Sequence, residues 1–266
     1  MDTILITGSN GFIGSGLINK LIKEYRNNKK IHIRVVCRQF LPEWPDFIER
    51  FHISELEVDT DWTEALVGCS VIVHLAARVH YLSEKVHNPL ADYHKINVRS
   101  TLNLARQSAD SGVKRFIFIS SIKVNGEFTE KGHYFNSNDC PAPRDDYALS
   151  KFKAEEELRE IAKNTGMEVV IIRPPLVYGP GVKANFASMM KWLSLSIPLP
   201  LGAIKNKRSL IGIENLVDFI LVCIRHPKAA NQIFLVSDGE DLSTTELLIQ
   251  TGKALNVPVR LIPFPV

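Results

Sequence analysis

The sequence lacks the features that define several large classes of protein. It contains no uninterrupted run of about 18 apolar residues, so no transmembrane helix is predicted. Its formal net charge is only +3 and no long block of Lys and Arg occurs, which argues against a nucleic-acid partner. The N-terminus passes from Met1-Asp2 directly into apolar residues, which predicts no secretory signal. We therefore expect a cytoplasmic protein that does not insert into a membrane.

Cysteine is scarce and shows no paired spacing. The four cysteines are scattered along the chain without a CxxC pair or another metal-like pattern: Cys37, Cys69, Cys140 and Cys223. This distribution is typical of reduced thiols in the cytosol, and it predicts no metal site.

Apolar strand-like runs alternate with longer helical patterns through the first two thirds of the chain. The predicted strands are 3–7, 31–37, 55–58, 70–75, 115–120 and 167–173, and the predicted helices are 11–27, 62–67, 90–111 and 147–164. Continuous apolar strands such as VIVHL suit a sheet that is covered on both faces. The alternation predicts right-handed βαβ units. The expected fold class is therefore α/β, with a Rossmann-like doubly wound parallel sheet in residues 1–174.

The sequence changes character after about residue 174. The segment RPPLVYGPGVKANF is rich in Pro and Gly and is interpreted as a loop. Predicted helices at 184–195, 214–226 and 243–255 then alternate with short strands near 210–213, 232–236 and 259–262. We expect residues 175–266 to form a smaller substrate-binding lobe at the carboxyl edge of the sheet, where open α/β sheets bind ligands.

A glycine-rich turn connects the first predicted strand to the first predicted helix. Gly8, Gly11 and Gly14 follow a GxxGxxG spacing in ILITGSNGFIGSGL. Glycines allow a tight turn and a close backbone approach, and a helix N-terminus offers free N–H groups to a pyrophosphate. The pattern favours a dinucleotide site; an ordinary glycine-rich turn is the alternative.

A second pattern supplies acid–base chemistry. Tyr147 and Lys151 in YALSK are separated by one helical turn, so both can face the same way. A nearby ammonium would lower the pKa of the phenol, whose reference value is about 10. Ser120 and Ser121 end a buried strand, where a hydroxyl can hold a reacting oxygen. Taken singly, the first pair could be a surface pair and the serines could be turn residues.

These motifs together resemble the extended short-chain dehydrogenase/reductase family, in its nucleotide-sugar epimerase/dehydratase branch. The matching segments occur in the family's order over most of the chain: TGSNGFIG, HLAA, INVRSTLNLA, SSIKVNG, YALSK and RPPLVYGPG. The resemblance implies that Ser121, Tyr147 and Lys151 are catalytic. It implies cofactor contacts from Gly8, Asn10, Gly11, Phe12, Ile13, Gly14, Asp59, Leu75, Ala76, Ala77, Asn97, Tyr147, Lys151 and Pro174.

The resemblance extends into the second lobe. RSLIGIENLVD looks like the family segment whose arginine grips the substrate's diphosphate, which implies this role for Arg208. Asn185 falls where the family has a substrate-contacting asparagine. Lys123 departs from the family's SSxxVYG pattern and faces either substrate or solvent. The alternatives are a surface salt bridge for Arg208 and a helix cap for Asn185. The C-terminal lobe is shorter than is usual in the family.

Arg38 bears on the choice of cofactor. It lies 24 positions after Gly14, near the place where an acid would bind the ribose 2′-hydroxyl in an NAD site. An arginine there would attract a 2′-phosphate through charge-assisted hydrogen bonds. This favours NADP(H), with NAD as the alternative if Arg38 points to solvent or stacks on the adenine.

The resemblance implies hydride transfer at C4 of a nucleotide sugar, in one of two reactions. One is a UDP-sugar 4-epimerase; the other is an NADPH-dependent reductase of a UDP-4-keto-6-deoxy-N-acetylhexosamine in surface polysaccharide biosynthesis, toward which Arg38 tilts. A dehydratase fits less well, because the family's Asp-Glu pair is replaced by Ile122 and Lys123. The alternative is a non-catalytic NAD(P)-binding sensor or scaffold. Relatives commonly pair through helices equivalent to 90–111 and 147–164, which implies a homodimer.

Overall fold

Seven parallel strands form the central sheet in the computed structural model, which describes residues 2–27, 31–39, 44–79 and 89–263. The strands along the chain are β1 (Asp2–Thr7), β2 (Ile31–Cys37), β3 (Ile48–His52), β4 (Cys69–His74), β5 (Arg115–Ile119), β6 (Glu168–Arg173), β7 (Leu176–Tyr178), β8 (Leu210–Gly212) and β9 (Ile233–Leu235). The sheet order is β3-β2-β1-β4-β5-β6-β9. The first six strands in this order follow the dinucleotide-binding arrangement, so the predicted Rossmann-like fold is confirmed.

Helices connect these strands, as the alternating pattern predicted. They are α1 (Phe12–Asn27), α2 (Thr63–Leu66), α3 (Pro89–Tyr93), α4 (Thr101–Asp110), α5 (Asp146–Thr165), α6 (Ala184–Ser194), α7 (Ile213–Arg225) and α8 (Thr244–Leu255). A π-helical stretch, His94–Ser100, joins α3 to α4, so the helix predicted at 90–111 is three consecutive segments. No helix within the described residues is long and apolar enough to cross a membrane.

The main hydrophobic core covers one face of the sheet. Strand residues such as Leu5, Ile72 and Phe118 belong to the same buried cluster as Leu104 of α4 and Leu158 of α5. Side chains alternate across a strand, so neighbours such as Ile4 and Ile6 point to the opposite face, and they are buried as well. Burial on both faces explains why these strands are continuous apolar runs.

Ion pairs bind α1 to α7. Lys20 lies 2.8 Å from Asp218, and Arg225 lies 3.0 Å from Glu24. Arg115, at the start of β5, donates to the carbonyl oxygens of Cys223, Ile224 and His226 at the end of α7. These contacts group the end of α7 and the following strand β9 with the central sheet.

The third strand is Ile48–His52, so the prediction of a strand at 55–58 was wrong. The segment IERFH carries charges and lacks an apolar run, which hid it in the sequence. It pairs in register with β2, from Ile33–Ile48 to Cys37–His52. Buried Arg34 of β2 supports this edge, because its guanidinium binds Glu49 at 2.5 Å and the carbonyl oxygens of Ala65 and Val67.

The chain divides into two compact units. The first is 1–174 with 217–235, and the second is 175–216 with 236–266. The predicted lobe boundary at 174 coincides with the first break, but 217–235 group with the sheet because β9 pairs with β6. In the second unit β7 lies inside the segment that was interpreted as a loop, and it pairs with β8, which coincides with the strand predicted near 210–213. The strand predicted at 259–262 is only an isolated bridge between Leu199 and Leu261.

A buried histidine closes β4 and couples the stability of the fold to pH. His74 Nδ1 lies 2.7 Å from Thr7 Oγ1, and its Nε2 lies 2.9 Å from Thr101 Oγ1. Burial, with a smaller effect from Lys151, lowers the pKa of His74 to about 3. The folded imidazole is therefore neutral where the unfolded one, with an ordinary pKa near 6.5, binds a proton.

We expect this histidine to destabilise the protein as the pH falls. Its contribution is complete above pH 6.5 and is lost toward pH 3, at up to about 1.4 kcal/mol per pH unit. His74→Gln should flatten the dependence of the free energy of unfolding on pH between 7.5 and 5, measured by urea denaturation. His133→Gln, at an exposed position, is the control. Equal slopes for the wild type and His74→Gln would contradict this assignment.

Candidate active site

The glycine turn between β1 and α1 has a geometry that only glycine fits. Gly8 has a φ of +69°, and a Cβ there would lie 2.6 Å from the backbone nitrogen of Ala76. A Cβ on Gly14 would lie 2.3 Å from the carbonyl oxygen of Gly8. The turn opens into the N-terminus of α1, at Phe12 and Ile13, whose first N–H groups lack intrahelical acceptors. This cradle therefore fits the pyrophosphate of a dinucleotide.

The loops after β2 and β4 are tied to the same turn. Asn10 Nδ2 donates to the carbonyl oxygen of Gln39 at 2.6 Å, which places exposed Arg38 beside the glycine turn. After β4, the N–H of Leu75 donates to the carbonyl oxygen of Thr7 at 3.3 Å. The N–H of Ala76 reaches Thr7 Oγ1 at 3.4 Å. The segments predicted to surround the cofactor thus converge on one edge of the sheet.

The end of β2 carries no negative charge at the position where an NAD site has its acid. Cys37 is buried, and burial raises the pKa of its thiol above the ordinary value despite hydrogen bonds from Ser9 and Gln39. The thiol therefore stays neutral at physiological pH. Arg38 is the neighbouring ionised group, as the sequence predicted.

Asn97 is buried in the π-helical stretch, and its amide binds protein. Its Oδ1 accepts from the N–H of Arg78 at 2.8 Å. Its Nδ2 donates to the carbonyl oxygen of Arg78 and to Ser150 Oγ, each at 3.0 Å. Asn97 therefore holds the loop after β4 against α5, which favours a positioning role over the direct cofactor contact that we predicted.

The two serines at the end of β5 have different environments. Ser120 is buried, and its hydroxyl donates to Glu155. Ser121 is partly exposed and begins a short 3₁₀ helix, where its Oγ accepts from the N–H of Lys123 at 3.3 Å. Of the two hydroxyls, only that of Ser121 is accessible to a ligand, which supports the catalytic role predicted for it.

Tyr147 and Lys151 lie one turn apart on α5, and Lys151 is anchored to the sheet. Lys151 Nζ donates to the carbonyl oxygen of Ile119 at 2.8 Å and lies 4.4 Å from the centre of the Phe118 ring. Burial lowers the pKa of Lys151 to about 7, against the opposing effect of Glu155. Lys151 thus fixes the start of α5 beside the end of β5, two residues before Ser121.

The pKa of Tyr147 differs from the expectation. Burial, followed by the charge of Asp145 and the nearby Tyr93, raises the pKa of Tyr147 above its ordinary value. We expected Lys151 to lower it, but the lysine ammonium is directed to Ile119 and Phe118. The phenol is therefore firmly protonated in the protein alone, and a phenolate requires a further positive charge close to the ring.

A buried ion pair lies beneath these residues. Glu155 of α5 binds Arg173 at the end of β6 at 2.5 Å, and both side chains are about 2% exposed. Arg173 also donates to Asn125 Oδ1 at 2.8 Å, and Asn125 Nδ2 donates to the carbonyl oxygen of Asn136 at 2.8 Å. With Ser120, this network joins α5 to the ends of β5 and β6.

Sequence reasoning missed this network, although one signal for it was available. Tyr147, Lys151 and Glu155 repeat every four residues, so they form one stripe along α5. Asn125 replaces the aromatic residue of the family pattern, and its bond to Arg173 explains the polar replacement. The pairing with Arg173 could not be read from the sequence because it depends on how β6 lies beside β5.

Other predicted residues are placed less closely around this site. Asp59 is exposed in a turn seven residues beyond the end of β3, so it does not end a strand as predicted. Lys123 binds Asp145 at 2.5 Å. Pro174 follows β6, and its carbonyl oxygen accepts from the N–H of Ile122 at 3.0 Å. Pro174 and the serine segment are thus in direct backbone contact.

The second unit contains its own cavity, of about 340 Å³. Its walls are mainly apolar side chains from α6, β8, α8 and the segment before α8: Phe186, Met190, Leu210, Leu242, Leu247, Ala254 and Leu255. The ring of Tyr178 stacks on that of Phe186 at 6.1 Å, and its hydroxyl donates to Asp238. Asp238 also accepts from the N–H of Gly212 and from Asn215 Nδ2.

The two predicted substrate residues of this unit, Arg208 and Asn185, do not line the cavity but neighbour residues that do. The backbone of exposed Arg208 exchanges hydrogen bonds of 2.9 and 3.0 Å with Leu242, which lines the cavity. Asn185 lies in the first turn of α6, immediately before the cavity residue Phe186. The side chain of Asn185 lies outside the described part of the structure.

Comparison with known proteins identifies the family. Residues 4–237 match the model of the NAD dependent epimerase/dehydratase family. The chain belongs to this family. It is therefore an enzyme of the extended short-chain dehydrogenase/reductase type, as predicted.

Individual members of the epimerase/dehydratase family show how close the similarity is. The chain is 50% identical to the UDP-glucose 4-epimerase of Vibrio cholerae over 265 residues, which cover 99% of this chain and 79% of that protein. It is 27% identical to an N-acetyl-α-D-glucosaminyl-diphospho-ditrans,octacis-undecaprenol 4-epimerase of Escherichia coli O157:H7, over 99% of this chain and 76% of that one.

Solved structures of family members share the fold. UDP-glucuronic acid 4-epimerase from Bacillus cereus, crystallised with UDP-glucuronic acid and NAD, superposes with a TM-score of 0.82. The superposition covers 98% of this chain and 86% of that chain, at 21% identity.

The buried ion pair generates a prediction about stability. Glu155→Gln keeps the shape of the side chain but leaves Arg173 as an uncompensated buried charge, which should lower the free energy of unfolding by about 3–5 kcal/mol. Glu156→Gln, at the next and exposed position of α5, should change it by less than about 0.5 kcal/mol. Urea denaturation of both variants measures this difference. Equal effects would show that the charge of Glu155 does not stabilise the fold.

Proposed function

We propose that the protein is a nucleotide-sugar 4-epimerase that acts on a UDP-sugar by hydride transfer at C4. The observation that carries this proposal is the bond from Lys151 to the carbonyl oxygen of Ile119. It fixes the Tyr147–Lys151 turn of α5 beside the end of β5, where Ser121 begins the next segment. The 50% identity to a UDP-glucose 4-epimerase supports the same reaction.

The residues of the first unit would have different roles in such a reaction. The backbone around Gly8, Gly11 and Gly14 would hold the dinucleotide phosphates. When bound, the nicotinamide supplies a hydride acceptor and, in its oxidised form, a positive charge that favours a phenolate. Ser121 Oγ would hydrogen-bond the oxygen on C4, and Tyr147 would take the proton of that hydroxyl and later return it. Lys151 would orient the ribose.

The second unit offers features that suit the remainder of a nucleotide sugar. The apolar cavity beside the Tyr178–Phe186 stack has walls that fit the faces of a planar base. Arg208, whose backbone is paired with the cavity residue Leu242, would supply a guanidinium to the diphosphate. Asn185 would contribute an amide to the substrate. We assign the UDP group to this cavity on these grounds.

A second candidate reaction is favoured by one observation, the exposed Arg38 beside the glycine turn. An arginine at this position suits the 2′-phosphate of NADP(H), and a cofactor that is consumed suits a reductase. The substrate would then be a UDP-4-keto-6-deoxy-N-acetylhexosamine. Against this stands the family itself, which is named for its dependence on NAD.

Two further expectations accompany the proposal. A sensor or scaffold without catalysis is disfavoured, because Ser121, Tyr147 and Lys151 are all present on adjoining elements. A cytoplasmic homodimer that pairs through α4 and α5 stays a prediction, which light scattering of the purified protein would test.

The reaction is tested by removing one hydroxyl. Tyr147→Phe should lower kcat by about 10²–10⁴-fold, because it removes the acid–base group. The assays are interconversion of UDP-glucose or UDP-GlcNAc without net use of cofactor, and oxidation of NADPH by UDP-4-keto-6-deoxy-GlcNAc. Tyr134→Phe, on a side chain that is 79% exposed, is the control. Full turnover by Tyr147→Phe would rule out the proposed role, and consumption of NADPH by the wild type would favour the reductase.

Cofactor choice is tested separately at Arg38. Arg38→Asp replaces an attractive charge with a repulsive one, so NADPH should bind at least about tenfold more weakly, since one charged contact contributes about 1.5–3 kcal/mol. NADH, which lacks the 2′-phosphate, should lose much less. Isothermal titration with both dinucleotides measures the ratio. Equal losses would mean that Arg38 does not distinguish the two cofactors.

A further inference from the structure

Lys123 and Asp145 form an ion pair at the border of the proposed active site. Lys123 Nζ lies 2.5 Å from Asp145 Oδ2, with 47% and 36% of the two side chains exposed. Lys123 is two residues after Ser121, and Asp145 is two residues before Tyr147. The pair therefore connects the segments that carry two proposed catalytic groups.

Each partner also makes a hydrogen bond within its own segment. The N–H of Lys123 donates to Ser121 Oγ at 3.3 Å. Lys123 belongs to the short 3₁₀ helix whose N-cap is Ser121. Asp145 is the N-cap of α5, and its Oδ1 accepts from the N–H of Ala148 at 2.7 Å. One carboxylate oxygen thus caps the helix while the other holds Lys123.

We infer that the Lys123–Asp145 pair positions Ser121 against the first turn of α5 and sets the pH at which Tyr147 exchanges its proton. The inference rests on the proposed function, since it concerns the same tyrosine. Both members are positioning residues, because each acts through Ser121 or Tyr147.

Several charged and titratable groups surround Tyr147, so the Lys123–Asp145 pair can affect its ionisation. Asp145, the N-cap of α5, lies two residues before Tyr147, and Lys151 follows one turn after it. The ring centre of Tyr93 in α3 lies 6.1 Å from that of Tyr147. Burial, Asp145 and Asp146 raise the pKa of Tyr93, and Arg78 and Lys123 oppose this effect. Burial would raise the pKa of the Asp145 carboxyl, but hydrogen bonds from Lys123 and Ala148 hold it below its usual range. Asp145 is therefore ionised whenever the enzyme works.

The sign of each effect follows from these charges. Ionised Asp145 disfavours a phenolate at Tyr147, and Lys123 compensates this carboxylate. Removing Lys123 leaves the carboxylate uncompensated, whereas removing the charge of Asp145 leaves a lysine cation. The two changes should therefore move the working pH in opposite directions, and removing both should restore it.

The experiment compares Lys123→Met, Asp145→Asn and the double variant. Asparagine is also a good N-cap, so Asp145→Asn retains the start of α5. The readout is the acidic limb of the profile of kcat against pH, whose apparent pKa belongs to Tyr147 and Lys151 together. We expect an upward shift of about 0.5–1 pH unit for Lys123→Met and a similar downward shift for Asp145→Asn, as suits charges partly exposed to water. The double variant should return to within about 0.3 unit of the wild type.

A similar ion pair at the other end of α5 provides the control. Lys163 Nζ lies 2.5 Å from Glu160 Oε1, and both side chains are more than half exposed. Lys163→Met and Glu160→Gln should leave the profile unchanged.

A second readout is independent of turnover. The tyrosinate absorbance of the cofactor-free protein, after subtraction of the matching Tyr147→Phe protein, should begin at lower pH in Asp145→Asn than in the wild type.

Two results would overturn the inference. Shifts of the same sign in both single variants, or none, would show that the pair does not control Tyr147. A change in KM alone at Lys123→Met, with an unmoved acidic limb, would make Lys123 a substrate contact instead. Failure of the proposed function is a separate result, because Tyr147→Phe would then retain turnover whatever these variants do.

Discussion

The bond between Glu155 and Arg173 is the interaction on which the arrangement of the elements that carry the proposed catalytic residues depends. Each partner is about 2% exposed, so neither charge has water as an alternative. Glu155 lies on α5, Arg173 ends β6, and Ser120, which also binds Glu155, follows β5. A buried ion pair contributes little net stability when its desolvation is counted, but it strongly penalises any arrangement in which it is broken. Its effect here is to make one packing of α5 against the two strand ends much better than its neighbours.

The buried network of Glu155, Arg173 and Ser120 determines which side chains a ligand can reach. Because the hydroxyl of Ser120 is bound inside it, Ser121 is the first hydroxyl beyond the strand that a ligand can reach. Lys151 lies one turn before Glu155 and is held by the carbonyl oxygen of Ile119, so the same stripe of α5 directs its charge toward the sheet. Tyr147, one turn earlier still, completes the stripe at the helix N-terminus. Local helix geometry sets the spacing of these groups along α5, and the buried pair sets their depth.

The sequence predicted the features that depend on local chemistry and missed those that depend on strand pairing. The glycine turn, the burial of the sheet on both faces and the Tyr–Lys spacing follow from residue type and period. Strand β3 was misplaced because it lies at the edge of the sheet, where it pairs with β2 alone, and its sequence IERFH has no apolar run. Arg34 and Arg173 lie inside the strands predicted at 31–37 and 167–173, but their ion-pair partners could not be predicted from the sequence. Their partners, Glu49 and Glu155, are 15 and 18 residues away, and only the paired sheet brings them together.

The electrostatics of the site also explain why the direction of the Tyr147 pKa could not be predicted from the Tyr–Lys spacing alone. Burial favours the neutral forms of both Tyr147 and Lys151, lowering the pKa of the lysine to about 7 and raising that of the tyrosine. A charge-separated Tyr–Lys pair is therefore costly in the protein by itself. Proton transfer from a substrate to Tyr147 becomes favourable only when positive charge is brought close to the ring. The oxidised nicotinamide of a dinucleotide would provide such a charge. The proposed acid–base role of Tyr147 would thereby depend on the oxidation state of the dinucleotide.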